Sequence, residues 1–199
     1  MRLVLGSSSP RRRELLEQLG LAFESEAPDV DESRLPDEQA AAYVERVARL
    51  KATAIVREGR IVVAADTAVV HEGRILGKPA HPEEARSMLR RLEGDRHEVF
   101  TGIAVASTET GFEVVSMVDV TEVALLSMTA EEIAAYVDSG EPMDKAGAYA
   151  LQEKGGRFVE KVVGSPFTVI GLPVHLLPRL LRRVGVDFDE FMKTGGDGD

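Results

Sequence analysis

Ile61-Val62-Val63-Ala64-Ala65-Asp66-Thr67 decides the fold. An unbroken apolar run with no polar alternation is what a strand buried on both faces requires, and such strands sit in sheets covered by helices. The flanking segments agree. Arg2 to Gly6 reads as a first strand. Ser9 as N-cap and Pro10 at the first helical position open a helix with Leu15, Leu16 and Leu19 on its apolar face, and Gly20 ends it. The spacing predicts a long second helix over Asp37–Val56, with Val44, Val47, Ala48, Ala54 and Ile55 on one stripe. His71-Glu72-Gly73-Arg74 is a tight turn between short strands, and Pro82–Leu92 a third helix. Two long strands follow, Val99–Ser107 and Glu113–Leu125, and then a capping box, Thr129 with Glu132, ahead of a fourth helix. Phe158–Val163 reads as a strand. Leu172–Val184 reads as a last helix that Pro178 either kinks or truly starts. Helices alternating with strands, two of them long and adjacent, predict an α/β chain. Its single layered domain, residues 1–193, has a mixed twisted sheet flanked by helices, followed by a frayed tail, 194–199.

Charge narrows the function. The chain carries 24 Lys and Arg against 34 Asp and Glu, a net −10. That excludes the broad basic footprint of duplex binding and of anionic membranes, so no nucleic acid or membrane partner is expected. With no cysteine there are neither disulfides nor thiolate zinc sites, which fits a reducing cytoplasm. No apolar stretch reaches the length of a membrane span, and the N-terminal apolar piece lacks a signal-peptide core. An anionic small molecule remains a partner if positive charge is concentrated locally.

Such a concentration occurs in Ser7-Ser8-Ser9-Pro10-Arg11-Arg12-Arg13. A helix start carries partial positive charge and free amides, so arginines there are unfavourable unless an anion joins them. With the serine hydroxyls they make a phosphate cradle, and the helical wheel turns Arg12 towards Leu16, Leu19 and the sheet. The alternative is a solvated basic helix end. Lys51 interrupts the apolar stripe of the second helix. It either snorkels to water or aims its ammonium into a cleft. Asp66 follows the buried run, at the carboxyl end of a central strand where α/β sheets build their sites. With Glu32 it offers oxygen ligands for a hard cation, or a general base, or in each case an ordinary turn or surface acid. Lys78, held extended before Pro79, is a pedestal for a phosphate-binding ammonium or an inert turn residue. Gln152, ahead of Gly155-Gly156, reads a base edge or closes the turn.

Taken in order, Ser7-Ser8-Ser9-Pro10-Arg11-Arg12, Asp31-Glu32, Lys51, Ala65-Asp66-Thr67 and Gly77-Lys78-Pro79 resemble the Maf family of nucleoside triphosphate pyrophosphatases. So do His97-Glu98-Val99-Phe100-Thr101-Gly102, Glu141 through Tyr149 and Gly171-Leu172-Pro173. The resemblance implies a Maf/inosine-triphosphatase-like fold, a homodimer, and cleavage of a nucleoside triphosphate between the α and β phosphates with Mg²⁺ or Mn²⁺. It implies that Asp66 accepts the proton of the attacking water. Glu32, Lys51 and Lys78 line the metal and phosphate site with Ser7, Arg11 and Arg12, and Glu32 and Asp66 are the metal ligands. Through Asp144-Lys145-Ala146-Gly147-Ala148-Tyr149 and Gln152 the chain resembles the dTTP/UTP branch, in which the positions of Arg11, Thr67 and Gln152 contribute to substrate choice. It departs from that branch at Leu151-Gln152-Glu153 and Ser165-Pro166-Phe167, near the expected base pocket. Modified pyrimidine triphosphates are further candidate substrates. The competing readings are the 7-methyl-GTP branch and a non-catalytic nucleotide-binding regulator of cell division.

Overall fold

In the computed structural model, which describes residues 1–109 and 111–193, the chain opens with β1 (Arg2–Gly6), α1 (Pro10–Gln18), β2 (Glu24–Ser25) and α2 (Ala40–Ile55). The middle comprises β3 (Arg60–His71), β4 (Arg74–Leu76), α3 (Pro82–Leu92), β5 (Arg96–Ser107) and β6 (Glu113–Leu125). It closes with α4 (Ala130–Asp138), β7 (Val159–Val163), α5 (Pro166–Ile170) and α6 (Leu177–Arg183). The tail expected over 194–199 lies outside the described residues.

The strands form one mixed sheet in the order β2-β1-β3-β5-β6-β7, with β4 also on β3. β1 runs parallel to β2 and β3, and the remaining pairs are antiparallel. Helices cover the sheet, as the buried run requires. On one face Leu3, Leu5, Leu16, Ile61 and Val63 pack with Leu177, Leu180 and Leu181 of α6. Against the other face α2 packs Ala48, Ala52 and Ile55 on Val4, Val62 and Ala104. A third cluster joins α3 and α4 to β4 and the ends of β5 and β6 through Leu89, Leu92, Val99, Val123 and Ile133.

Several boundaries differ from expectation. The apolar run does not end at Asp66. β3 continues to His71 and turns into β4, because Ala68, Val69 and Val70 stay buried, Val69 within the third cluster. Asp66 is therefore a mid-strand residue. On α2 the inward stripe is Val44, Val47, Ala48, Lys51, Ala52 and Ile55. Ala54 falls off it and is exposed. β5 starts earlier than Val99, at Arg96, since His97 and Val99 alternate inward past exposed charged neighbours. The last helix begins only at Leu177, with Pro178 in its first turn, so Pro178 marks a start and not a kink. Ser9 occupies the N-cap of α1, but its side chain makes no capping bond. The hydroxyl of Ser7 accepts from the Ser9 amide instead, at 3.1 Å. Among the described residues no helix is long and apolar enough to cross a membrane.

Candidate active site

Between Val62 and Val70, β3 is paired along both edges except at one place. On the edge away from β5 it pairs with β1 from Arg60 to Ala64 and with β4 from Val69 to His71. Ala65–Ala68 have no ladder partner there, and Asp66 and Thr67 stand in that gap. The chain leaving β1 supplies Ser7 and the first turn of α1 on one side. The chain leaving β4 supplies Gly77-Lys78 on the other. A cleft of about 710 Å³ opens over the gap, and Ser7, Arg11, Arg12, Glu32, Lys51, Asp66, Thr67, Lys78 and Gln152 all line it. The structure thus brings together every candidate site residue of the sequence. Arg13 is the exception within the arginine triplet. It turns away to a separate small cavity with Glu17 and Phe23.

Lys51 is buried, and its ammonium donates to Glu32 Oε2 at 2.7 Å and to Asp66 Oδ1 at 2.8 Å. A buried charge persists only if paired, and two carboxylates meet this one. Gly102 permits the approach. It lies opposite Asp66 in the β3–β5 register, and a Cβ there would collide with the Val44 carbonyl and the Glu45 amide of α2. Without that side chain α2 settles against the sheet and Lys51 reaches Asp66. Glu32 is held from the coil between β2 and α2. Tyr43 donates its hydroxyl to the Glu32 carbonyl at 3.1 Å. Burial, then the charges of Asp66 and Glu32, push the Tyr43 hydroxyl up to about 12, so it remains a neutral donor.

Arg12 donates through Nε to the Gly171 carbonyl at 2.7 Å, and its two Nη atoms reach the hydroxyls of Ser7 and Thr67, each at 3.3 Å. Thr67 is backed by the Thr101 hydroxyl at 3.0 Å, and Thr101 donates to the Thr168 carbonyl at 2.7 Å. All of these partners are neutral. Desolvation is the largest influence on the Arg12 guanidinium and leaves its pKa lowered. Asp66 opposes that shift through space without bonding to the guanidinium, and an anion at this spot would add a directly bonded countercharge. Arg11 takes another course. It pairs with Asp144 at 3.3 Å and Glu153 at 3.6 Å, and Lys145, also buried, holds the same two carboxylates at 2.7 and 3.3 Å. Burial acts to raise the Asp144 carboxyl, but Lys145 and Arg11 prevail and hold it below the usual carboxylate range. Lys78 and Gln152 are exposed at the cleft's edges.

The cleft also contains residues that the sequence did not single out as site residues, among them Arg34, Tyr43, Asp144, Lys145 and Tyr149. Asp144, Lys145 and Tyr149 lie in a segment that carried the family resemblance. Arg34 and Tyr43 gave no signal beyond nearness to Glu32. As cation ligands, the described residues offer no group of three or more His, Asp or Glu. Glu32 and Asp66 are two converging carboxylates, the former half exposed. That donor set suits Mg²⁺-like ions, which keep waters and take one or two protein carboxylates together with substrate phosphates.

Residues 2–184 match the model of the Maf-like protein family. The chain belongs to this family. Its Maf-like relatives include a dTTP/UTP pyrophosphatase of Anaeromyxobacter dehalogenans, 54% identical over 92% of this chain and 94% of the relative. A dTTP/UTP pyrophosphatase of Desulforamulus reducens is 46% identical over 93% and 97%, and one of Myxococcus xanthus 47% identical over 92% and 93%. Among solved structures this Maf-like chain is similar to the Staphylococcus aureus Ham1 protein, at 14% identity and a TM-score of 0.47 over 92% of this chain and 100% of that one.

Proposed function

We propose that this Maf-like protein hydrolyses dTTP and UTP, and modified pyrimidine triphosphates of similar shape, to the nucleoside monophosphate and pyrophosphate. The observation that carries the reading is the joint placement of Lys51 between Asp66 and Glu32, beside an Arg12 that has only neutral partners, in one cleft. Arg12 and the Ser7 hydroxyl receive phosphate oxygens. Asp66 keeps Oδ1 on Lys51 and turns Oδ2 to the attacking water, taking its proton as the water oxygen bonds to the α phosphorus and the bond to the β-phosphate oxygen breaks. Lys78 balances the charge that moves onto the departing pyrophosphate. Glu32 and Asp66 would hold a divalent cation, Mg²⁺ or Mn²⁺, which neutralises phosphate charge when bound. Gln152, Thr67 and Arg11 choose the base. The cytoplasmic location and the homodimer expected from the sequence belong to the same proposal, and sedimentation at working concentration tests the dimer.

The reaction is tested by incubating the protein with dTTP, UTP, modified pyrimidine triphosphates and 7-methyl-GTP plus Mg²⁺ or Mn²⁺, and assaying pyrophosphate and monophosphate together. Turnover of dTTP and UTP is expected, with Asp66→Asn lowering kcat by about 10² to 10⁴, the usual worth of a positioned general base. Orthophosphate as the only product, or tight triphosphate binding with no turnover, would defeat the proposal.

A further inference from the structure

Six cationic side chains line the cleft, Arg11, Arg12, Arg34, Lys51, Lys78 and Lys145, against three carboxylates, Glu32, Asp66 and Asp144. Four are accounted for, and among the described residues the exposed Lys78 makes no ion pair. Lys51 takes Glu32 and Asp66, Arg11 and Lys145 share Asp144, and Arg12 is held by neutral oxygens. Among the described residues Arg34 makes no ion pair and no side-chain hydrogen bond, although it is an exposed guanidinium on the cleft wall. The nearby carboxylate of Glu38 is already gripped by Arg46 in a two-pronged pair at 2.7 and 2.8 Å. That pairing is the main reason the Glu38 carboxyl is lowered to about 2, with Arg34 the weakest contributor.

The backbone that presents Arg34 is braced from α2. Arg46 donates to the Ser33 carbonyl at 3.0 Å and Tyr43 to the Glu32 carbonyl at 3.1 Å, while Lys51 holds the Glu32 side chain. Glu38 also accepts from the Leu35 amide at 3.1 Å. Residues 32, 33 and 35 are thus tied down around an arginine whose own head is free. A fixed backbone carrying an unengaged guanidinium is a ready anion ligand, since only the side chain, and not the segment, has to be ordered when the anion arrives. None of these ties reaches the Asp144–Glu153 segment where Arg11 is held. Arg34 is carried on the same braced segment as Glu32, whose side chain meets Lys51, and lines the same cleft.

We infer that Arg34 is a substrate-binding residue that clamps the β and γ phosphates of the triphosphate, the part that departs as pyrophosphate. The inference rests on the proposed triphosphate reading of this cleft. It is tested on the full chain with Arg34→Ala and Arg34→Lys, whose folding should match the parent in thermal unfolding because the side chain is exposed and bonds to nothing. Loss of one charge-assisted contact corresponds to about a ten-fold effect. Arg34→Ala should raise KM for dTTP by about that factor with little change in kcat. It should weaken inhibition by inorganic pyrophosphate similarly and leave inhibition by dTMP as in the parent, with Arg34→Lys in between. Unchanged KM and unchanged pyrophosphate inhibition would overturn the assignment. So would equal weakening of pyrophosphate and dTMP inhibition, which would move Arg34 to the nucleotide part. Calorimetric binding of inorganic pyrophosphate to parent and variant measures the same loss of affinity without turnover. An inactive parent that still binds pyrophosphate less well on Arg34→Ala would defeat the pyrophosphatase reading alone.

Discussion

Lys51 and His97 show two ways in which this fold buries an ionisable group. Lys51 is met by two carboxylates, Glu32 and Asp66. His97 stays neutral. Its Nε2 lies 2.7 Å from the Tyr149 hydroxyl, and its Nδ1 has no partner. Burial, followed by the nearby His71, lowers it to about 4 against a slight opposing pull from Asp95. Between about pH 4 and 6.5 the unfolded chain binds a proton at this position that the folded chain refuses. Stability is therefore full above about pH 6.5 and falls as the pH drops through that window, by about 3 kcal/mol over its width. Denaturant unfolding of His97→Gln, which keeps a hydrogen-bonding group towards Tyr149, should lose most of this slope. A slope equal to the parent's would show that other groups carry the acid sensitivity.

At the scale of elements, the close seating of α2 on β5 is what delivers Lys51 to Asp66. Gly102→Ala should push the helix outwards, because the added Cβ meets backbone and not a flexible side chain. Overpacking of this kind typically costs about 1–3 kcal/mol. The informative readout is a fall in kcat/KM larger than the stability loss explains, and an unchanged kcat/KM would contradict this account of the site. Local signals carried many of the elements. The Thr129–Glu132 capping box, Pro82 at a helix start and the buried run of β3 are each written in a few adjacent residues, and Lys51 announced itself as a charge on an apolar stripe. What stayed hidden depends on partners distant in the chain. Whether Lys51 snorkels or pairs is decided by Asp66 on another element. Arg11 meets Asp144 across 133 positions. Arg34 lies in a coil with no periodicity to read. The short α5 has too few residues for a stripe, and the strand beyond Asp66 was masked because Asp66 and Thr67 look like a terminus.

For the molecule as a whole, a net charge of −10 surrounds a cleft in which cations outnumber carboxylates two to one. The surface repels polyanions in general, while the cleft attracts one small enough to enter. That contrast is built on the interrupted pairing of β3, where β1 stops and β4 has not yet begun. The interruption also has a dynamic signature. Amides at the centre of a sheet are ordinarily the slowest in a protein to trade hydrogen for deuterium. Here those of Ala65–Ala68 that point into the gap should exchange faster than their neighbours at Val62–Ala64 and Val69–Val70, and dTTP should slow them selectively. Uniform protection along the whole strand without nucleotide would contradict this. The strand at the middle of the sheet would then report occupancy of the cleft through its own backbone, without a label.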